Sequence, residues 1–314
     1  MMFALSLLVA MLVDALLGWP NRLFAAIGHP VTWLGRVVTL ADKHMNHARH
    51  GHWRRLAGLV ATIAIVGASA AAGFLLQELL PGGWAGVLLL GILAWPLVAL
   101  RSLYEHVAAV WRPLAVDDLG AARGTVAMIV GRDPSGLDQA GIARAALESL
   151  AENTSDGIVA PVFWGVLLGL PGIAAYKAIN TLDSMIGHRT PRHEQFGWAA
   201  ARLDDLVNLI PARLTGLLFA AMSRRPGTSL SVMWRDAPGH RSPNAGWPEA
   251  AMAGALNVRL SGPRVYASHR VDEPWINEKA PDPDAADLAA GLALFVRAMI
   301  LFSAILAVIA ILIR

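Results

Sequence analysis

Six apolar runs, at residues 3–18, 57–77, 84–100, 158–176, 206–221 and 289–313, constrain this 314-residue chain more than any other feature. Several approach the roughly 20 residues that an α-helix needs to cross a hydrocarbon core of about 30 Å. Only 16% of the residues are charged and 55% are hydrophobic, whereas a soluble domain carries about a quarter charged residues. The expected fold is all-α: a polytopic integral membrane helical bundle with about 4–6 membrane segments. Some segments are expected to be broken or re-entrant, and helical and loop segments to join them on the cytoplasmic side. Residues 1–314 are expected to form one integral membrane domain. The first run lacks a basic n-region and a small-residue cleavage site, so it reads as a retained span rather than a signal peptide.

Composition narrows the chemistry. The chain has no cysteine, which excludes disulfides, thiolate metal sites and cysteine nucleophiles. A net charge of +3, carried mostly in loops, suits a cytoplasmic face beside anionic lipid or anionic substrates. No basic block is long enough to argue for nucleic acid. Walker A, dinucleotide-fingerprint, H-E-x-x-H and nucleophile-elbow motifs are all missing from the sequence.

Four polar segments, 19–56, 101–157, 176–204 and 222–288, separate the runs and are expected to form the active-site face. Strict alternation puts 176–204 on the side opposite the other three. That segment also carries Lys177, Arg189, Arg192 and Arg202, so the positive-inside rule places it with them. The run before it is interrupted by Pro161 and Pro171, and the run after it opens on Asp204 and Asp205 and contains Asn208, Pro211 and Arg213. Charged or non-helical backbone at membrane depth is tolerated where it is buried or lines a cavity.

Four constellations carry candidate chemistry, and each has a plain structural alternative. Glu148, Glu152 and Asp156 stand four residues apart beside Asn153; neighbouring pairs at that spacing suit one Mg²⁺ with waters. The alternative is a solvated helix face with Arg144 pairing Glu148. Lys177, Asn180, Asp183 and Ser184 share one helical face, a set suited to phosphate and Mg²⁺ or simply to a polar helix end snorkelling from the bilayer. Arg202, Asp204, Asp205, Asn208 and Arg213 open an apolar run, where polar groups are expensive unless paired or functional. Residues 234–249, with Arg235, His240, Arg241, Ser242 and Asn244, are rich in turn formers, and such a loop can cradle an anion or merely be structured. Asp14 is expected to face the bundle interior. His44, His47, His50 and His52 form either a metal patch or, more simply, a wet basic helix.

Together these stretches resemble the membrane-bound adenosylcobinamide-phosphate synthases of cobalamin biosynthesis, the CobD/CbiB family. The matching residues are His29-Pro30-Val31 with Gly35-Arg36, Gly131-Arg132-Asp133, and Glu148 through Gly157 with Ala160-Pro161. They continue with Tyr176 through Met185, Phe196-Gly197, Ala201 through Asp205 with Pro211-Ala212-Arg213, and Ser242 through Gly254. They fall in order over nearly the whole chain. Trp19 replaces an acidic residue usual in the family, and His188 and His193 stand where aromatic residues are usual.

The resemblance implies ATP-dependent ligation of (R)-1-aminopropan-2-ol phosphate, or a related amino-alcohol, to a propionate of adenosylcobyric acid, giving adenosylcobinamide phosphate. It implies Mg²⁺ and ATP, a corrinoid substrate, membrane lipid and other cobalamin-pathway enzymes as partners, and a multi-pass protein of the inner (cytoplasmic) membrane with a cytoplasmic active site. On this reading Glu152, Asp156 and Asp183 are the metal ligands. Lys177, Arg202 and Arg213 hold ATP phosphates, and Arg235, His240 and Arg241 meet the amino-alcohol phosphate. Asp204 or Asp205 is the base or a supporting carboxylate. His29, Arg36, Asn153, Asn180, Ser242 and Asn244 complete the substrate contacts. Three other readings compete: a non-enzymatic membrane sensor of the same fold, a transporter, which the lack of an internal repeat disfavours, and an intramembrane transferase, which lacks a second Asp-rich motif.

Overall fold

The computed structural model describes residues 2–47, 51–130, 133–266, 269–271 and 273–312. Gly131 and Arg132 of one motif, and His50 of the histidine patch, lie outside them. The described helices are α1 (Met2–Leu17), α2 (Asn21–Ile27), α3 (Pro30–Met45), α4 (Gly51–Glu78), α5 (Gly83–Ala94), α6 (Leu100–Leu114) and α7 (Leu119–Val126). They continue with α8 (Gln139–Thr154), α9 (Ala160–Ile186), α10 (Trp198–Val207), α11 (Leu209–Met222), α12 (Pro226–Asp236), α13 (Gly246–Leu256) and α14 (Ala285–Leu312). Four short strands, β1 (Leu260–Ser261), β2 (Arg264–Tyr266), β3 (His269–Val271) and β4 (Trp275–Ile276), pair antiparallel as β1–β4 and β2–β3.

The all-α membrane bundle is what the chain forms. Among the described residues, five helical stretches are long and apolar enough to cross a membrane: Asn21–Met45, Gly51–Glu78, Gly83–Leu114, Gln139–Ile186 and Ala285–Leu312. The pair α10 and α11, broken at Asn208, makes a sixth if taken as one span. Side chains such as Leu59, Ile63, Leu75, Leu88, Ile92, Ile300 and Val308 point outward, as they do where lipid is the solvent. Helix α1 is short for a span at 16 residues, about 24 Å. Residues 21–45, expected within a polar segment, instead have span-like hydropathy, with Phe24, Ile27, Trp33, Val37 and Leu40 exposed.

The chain divides into two compact units. The first comprises residues 1–99, 160–208 and 306–314. Its centre is α4 packed on α9, and α3 joins through a cluster of Val38, Ala61, Ile65, Ala178, Leu182, Ile186, Phe196 and Ala200. Helix α3 starts where it does because Pro30 cannot donate at N1 and His29 Nδ1 accepts from the Val31 N–H at 3.2 Å. Asp14 is buried, as an acid in a span must be unless it faces lipid.

Helix α9 is not continuous. Gly169 has φ 71° and ψ −150°, a conformation that only glycine adopts without strain. The break and Pro171 release backbone donors from the helical ladder, and the Gln77 Oε1 on α4 accepts the Leu170 N–H at 2.9 Å. Polar side chains at this depth satisfy backbone that lipid cannot.

The same unit settles the side on which 176–204 lies relative to the end of 19–56. Asn46 Nδ2 donates to the Arg192 carbonyl at 3.0 Å, Arg54 reaches the Pro191 and Arg192 carbonyls, and Arg192 donates twice to Asp42 at 2.9 and 2.6 Å. Asp42, Asn46 and Arg54 therefore share one side with residues 191–193, as the positive-inside rule requires and strict alternation does not.

The second unit comprises residues 100–159 and 209–305. Helix α13 is buried from Gly246 to Gly254 and packs on α8, α11 and α12. Asp138 caps α8 by accepting the Gly141 N–H at 2.8 Å. The C-terminal end of α8 passes into a π turn over Ser155–Val159, within the motif that carries Glu152 and Asp156.

Replacing Gln77 by Leu is expected to leave the Leu170 N–H unsatisfied and to destabilise the protein by about 1–3 kcal/mol. Gly169→Ala adds backbone strain and a Cβ 2.2 Å from Gln77 Oε1, so it should lower the thermal midpoint in detergent at least as much. Midpoints equal to wild type for both variants would show that the break does not depend on this contact.

Candidate active site

In the first unit, the polar face of α9 and the start of α10 come together. Lys177 is buried, Asn180 and Asp183 are half-buried and Ser184 is exposed, so the stripe runs from the interior to the surface. His29, at the head of α3, lies within electrostatic reach of Lys177. Asp183 lies within reach of His188 and Asp205, and Arg202 donates to Asp205 at 3.1 Å. Two carboxylates and one guanidinium thus meet where the chain turns at Gly187. A Cβ at Gly187 would stand 2.0 Å from Asp183 Oδ1, so the glycine leaves the carboxylate its position.

Asp204 is held differently. Tyr176 donates its hydroxyl to Asn208 Oδ1 at 2.9 Å, and Asn208 Nδ2 donates to Asp204 Oδ2 at 3.0 Å. Asn208 was among the polar groups singled out at the opening of the apolar run and Tyr176 stood in a matching motif, but neither had been given a role in the site. Their signal was present, because a tyrosine and an asparagine stood among the motif residues in apolar surroundings. Arg36 is exposed on α3, about two turns beyond the His29 cap.

In the second unit, the expectation that Glu148 pairs with Arg144 on a solvated face fails. Arg144 instead bonds Asp282, and its guanidinium lies 4.7 Å from the centre of the Trp275 ring. Glu148 is only 7% exposed and accepts the Ser261 N–H at 2.7 Å. Glu152 is exposed and Asp156 half-buried in the π turn, so the three carboxylates have three environments. Asn153 turns back to Ser149, donating to its carbonyl at 2.9 Å.

The turn-rich loop is a built structure. His240 Nδ1 accepts the Ser242 N–H at 3.1 Å, and its Nε2 stands 3.7 Å from buried Glu249. Ser242 Oγ accepts from the Asn244 and Ala245 N–H groups, both at 3.2 Å. Arg241 is exposed and ion-pairs Glu273 at 3.2 Å, while Glu273 also accepts from Ser261 Oγ at 3.4 Å. Arg235 grips Asp236, which in turn accepts the Asn277 N–H at 2.7 Å. Arg213 lies over Trp247, 4.2 Å from the ring centre, and donates to the Leu209 carbonyl. Ser261, Glu273 and Asn277 were not foreseen, since nothing local in sequence marks partners that lie 32 to 113 residues away, and Glu249, within the 234–249 stretch, had no role assigned.

Glu152 and Asp156 belong to the second unit and Asp183 to the first. Among the described residues, no group of three or more His, Asp or Glu side chains is placed to hold a metal ion; this covers His44, His47 and His52 as well.

A family model described as CobD/Cbib protein matches residues 7–295. The chain belongs to the CobD/Cbib family. It is 61% identical over 312 residues to the cobalamin biosynthesis protein CobD of Rhodobacter capsulatus, covering 99% of each chain. The proteins of that name from Sinorhizobium fredii and Brucella suis are 45% and 46% identical, over 94% and 91% of this chain and 93% and 90% of their own lengths. No solved structure matches the chain. Trp19, where an acid was expected from the family, donates its Nε1–H to the Gly28 carbonyl at 3.2 Å and packs edge-on to His29. His193 stands 3.4 Å from Asp42.

Two acids outside the spans report on pH. Hydrogen bonding from Arg259 holds the Asp282 carboxyl below the usual aspartate range, with Arg144 adding to it. Burial works to raise Asp236, but the bonds from Arg235 and Asn277 outweigh it and the net shift is downward. A depressed folded pKa contributes stability above the unfolded aspartate value, about 3.9, and loses it as pH falls through the folded value. Proteolysis within residues 273–284 should therefore accelerate on acidification below about pH 4. Asp282→Asn should weaken the acid response; a response unchanged by it would remove Asp282 from this account.

Proposed function

We propose that this protein forms an amide bond at the expense of ATP, joining (R)-1-aminopropan-2-ol phosphate, or a related amino-alcohol, to a propionate of adenosylcobyric acid in cobalamin biosynthesis. Family membership over residues 7–295 is the observation that carries this reading. The clustering of Asp183, Asp205 and Arg202 beside buried Lys177 supports it, since it is chemistry suited to phosphoryl groups.

A carboxylate resists attack by an amine, so it is activated first. A propionate oxygen bonds to the γ-phosphorus while the bond from that phosphorus to the bridging oxygen of ADP breaks. The amine nitrogen then bonds to the acyl carbon, the carbon–oxygen bond to phosphate breaks, and inorganic phosphate leaves. Asp204 or Asp205 takes the proton from nitrogen. Lys177 and Arg202 hold the phosphates of ATP, and placement in line provides most of the acceleration; Arg213, expected with them, belongs to the second unit, where it lies over Trp247. Arg235 and Arg241 meet the amino-alcohol phosphate, and His240, seated on Glu249, shapes the loop that presents Arg241. His29, Arg36, Asn153, Asn180, Ser242 and Asn244 complete the contacts to the substrates.

Mg²⁺ is commonly held by one or two carboxylates together with substrate phosphates. The donor set, with Asp183 near Asp205 and no three-residue cage among the described residues, fits an ion that arrives with ATP. Asp183, with Asp205 in reach, would hold it; Glu152 and Asp156, expected as ligands with it, belong to the second unit. When bound it offsets the charge that develops on the transferred phosphoryl group. Because ATP is cytoplasmic, the site is assigned to the cytoplasmic face of the inner membrane, where lipid and other cobalamin-pathway enzymes are its partners.

The test is the purified protein in detergent with adenosylcobyric acid, aminopropanol phosphate, Mg²⁺ and ATP, analysed by mass spectrometry. Condensed corrinoid should appear only with ATP, and Asp183→Asn should lower its rate on the order of 100-fold. Gly187→Ala, which pushes against the same carboxylate, should lower kcat about 10-fold with little change in thermal midpoint. Corrinoid binding without product for any amino-alcohol would favour a sensor of the same fold.

A further inference from the structure

Asn208 is 1% exposed, and so is Tyr176. A primary amide buried in apolar surroundings is expensive unless both its ends are bonded, and here both are. The chemistry of the two neighbours orients it. A carboxylate only accepts, so the Asn208 nitrogen must face Asp204, its oxygen must face Tyr176, and the tyrosine hydroxyl must donate. The chain of donors therefore runs one way, Tyr176 to Asn208 to Asp204, and ends on a half-buried carboxylate oxygen at the close of α10. A third side chain of α9 fixes the backbone at the same point: Trp164 Nε1–H donates to the Val207 carbonyl at 3.1 Å. That carbonyl is among the last of α10, where partners within the helix run out. An apolar groove of about 320 Å³, walled in part by Trp164, Tyr176, Ile179 and Val207, flanks the chain, and low local dielectric strengthens each bond in it.

We propose that Tyr176 and Asn208 are positioning residues for Asp204: they set the direction of the carboxylate that accepts a proton from the amine. The inference rests on the amide-forming reading, and it selects Asp204 rather than Asp205 as the base. Asp205 is engaged by Arg202 and faces Asp183, a setting suited to phosphate and metal. Asp204 accepts from the Asn208 amide, and that amide is fixed in turn by Tyr176, so its carboxylate is the one whose direction the relay sets. Tyr176 immediately precedes Lys177, so the relay and the phosphate-binding cation are set by the same turn of α9.

The experiment is a double-mutant cycle on the full-length protein in detergent, with kcat, KM for the amino-alcohol phosphate and thermal midpoint measured for each variant. Tyr176→Phe keeps the ring and removes the donor; it should lower kcat about 10-fold and leave KM within about twofold. Asp204→Asn should lower kcat on the order of 100-fold. In the Asp204→Asn background, adding Tyr176→Phe should cost nothing further, because the group through which Tyr176 acts is already lost. Asn208→Ala breaks the relay at its middle and should behave in the same way, which guards against one variant failing to fold. Multiplying losses in the double variant, or a fall in kcat that only tracks a fall in thermal midpoint, would reduce Tyr176 and Asn208 to structural residues. Wild-type activity in Asp204→Asn would remove Asp204 as the base. A wild-type protein that forms no amide would overturn the reaction and the inference together, an outcome distinct from the others.

Discussion

Backbone at membrane depth has no water to bond, and this constraint organises the structure. Where the helical ladder is whole, as through most of α4 and α14, only apolar side chains are needed outward. Where it breaks, a polar side chain has to be supplied from elsewhere. Gln77 does this for Leu170 at the Gly169 kink, and Trp164 does it for Val207 where α10 ends. Each break is tied to a neighbouring helix by a specific bond, so the irregular points of the fold are also its best-defined ones.

The chemistry sits at these irregular points. Lys177 and Asp183 lie on the distal half of α9, and Arg202, Asp204 and Asp205 on the middle and close of α10, beyond the kink and before the break at Asn208. Glu152 and Asp156 border the π turn that ends α8. A π turn widens the helix and redirects the side chains that follow, and such turns often accompany function. Regular helices in lipid exclude charge; interrupted ones give charged side chains a protein environment to occupy. Buried acids in the second unit follow the same rule with backbone donors, as Glu148 does with Ser261.

The charged groups also divide by what holds them. Arg202 and Asp205, Arg192 and Asp42, and Arg259 and Asp282 are ion pairs with substantial exposure, worth little individually for stability. Glu148 and Asn208 are almost fully buried and hydrogen-bonded by specific partners, and buried Glu249 stands 3.7 Å from His240. Removing such a partner strands a polar group in a medium of low dielectric. The buried set therefore fixes geometry, and the exposed set is available to anionic ligands.

The sequence by itself determined the class of fold, because hydropathy over some twenty residues is a local property that lipid reads directly. It also marked the residue types of the site, since Lys177, Asp183, Asp204 and Asp205 are conspicuous in apolar runs whatever their partners. Burial of Asp14 followed from the same cost. The partners themselves were decided by tertiary structure. Glu148 turned from Arg144 to Ser261 because a backbone donor 113 residues away proved closer than a neighbour one helical turn back. Residues 191–193 joined the side of Asp42, Asn46 and Arg54 because Arg192 and Asn46 meet there, against the count of spans. The Tyr176–Asn208–Asp204 chain spans 32 residues between its first two members, a separation at which periodicity carries no information. Local patterns fix which side chains must be satisfied; only packing fixes what satisfies them.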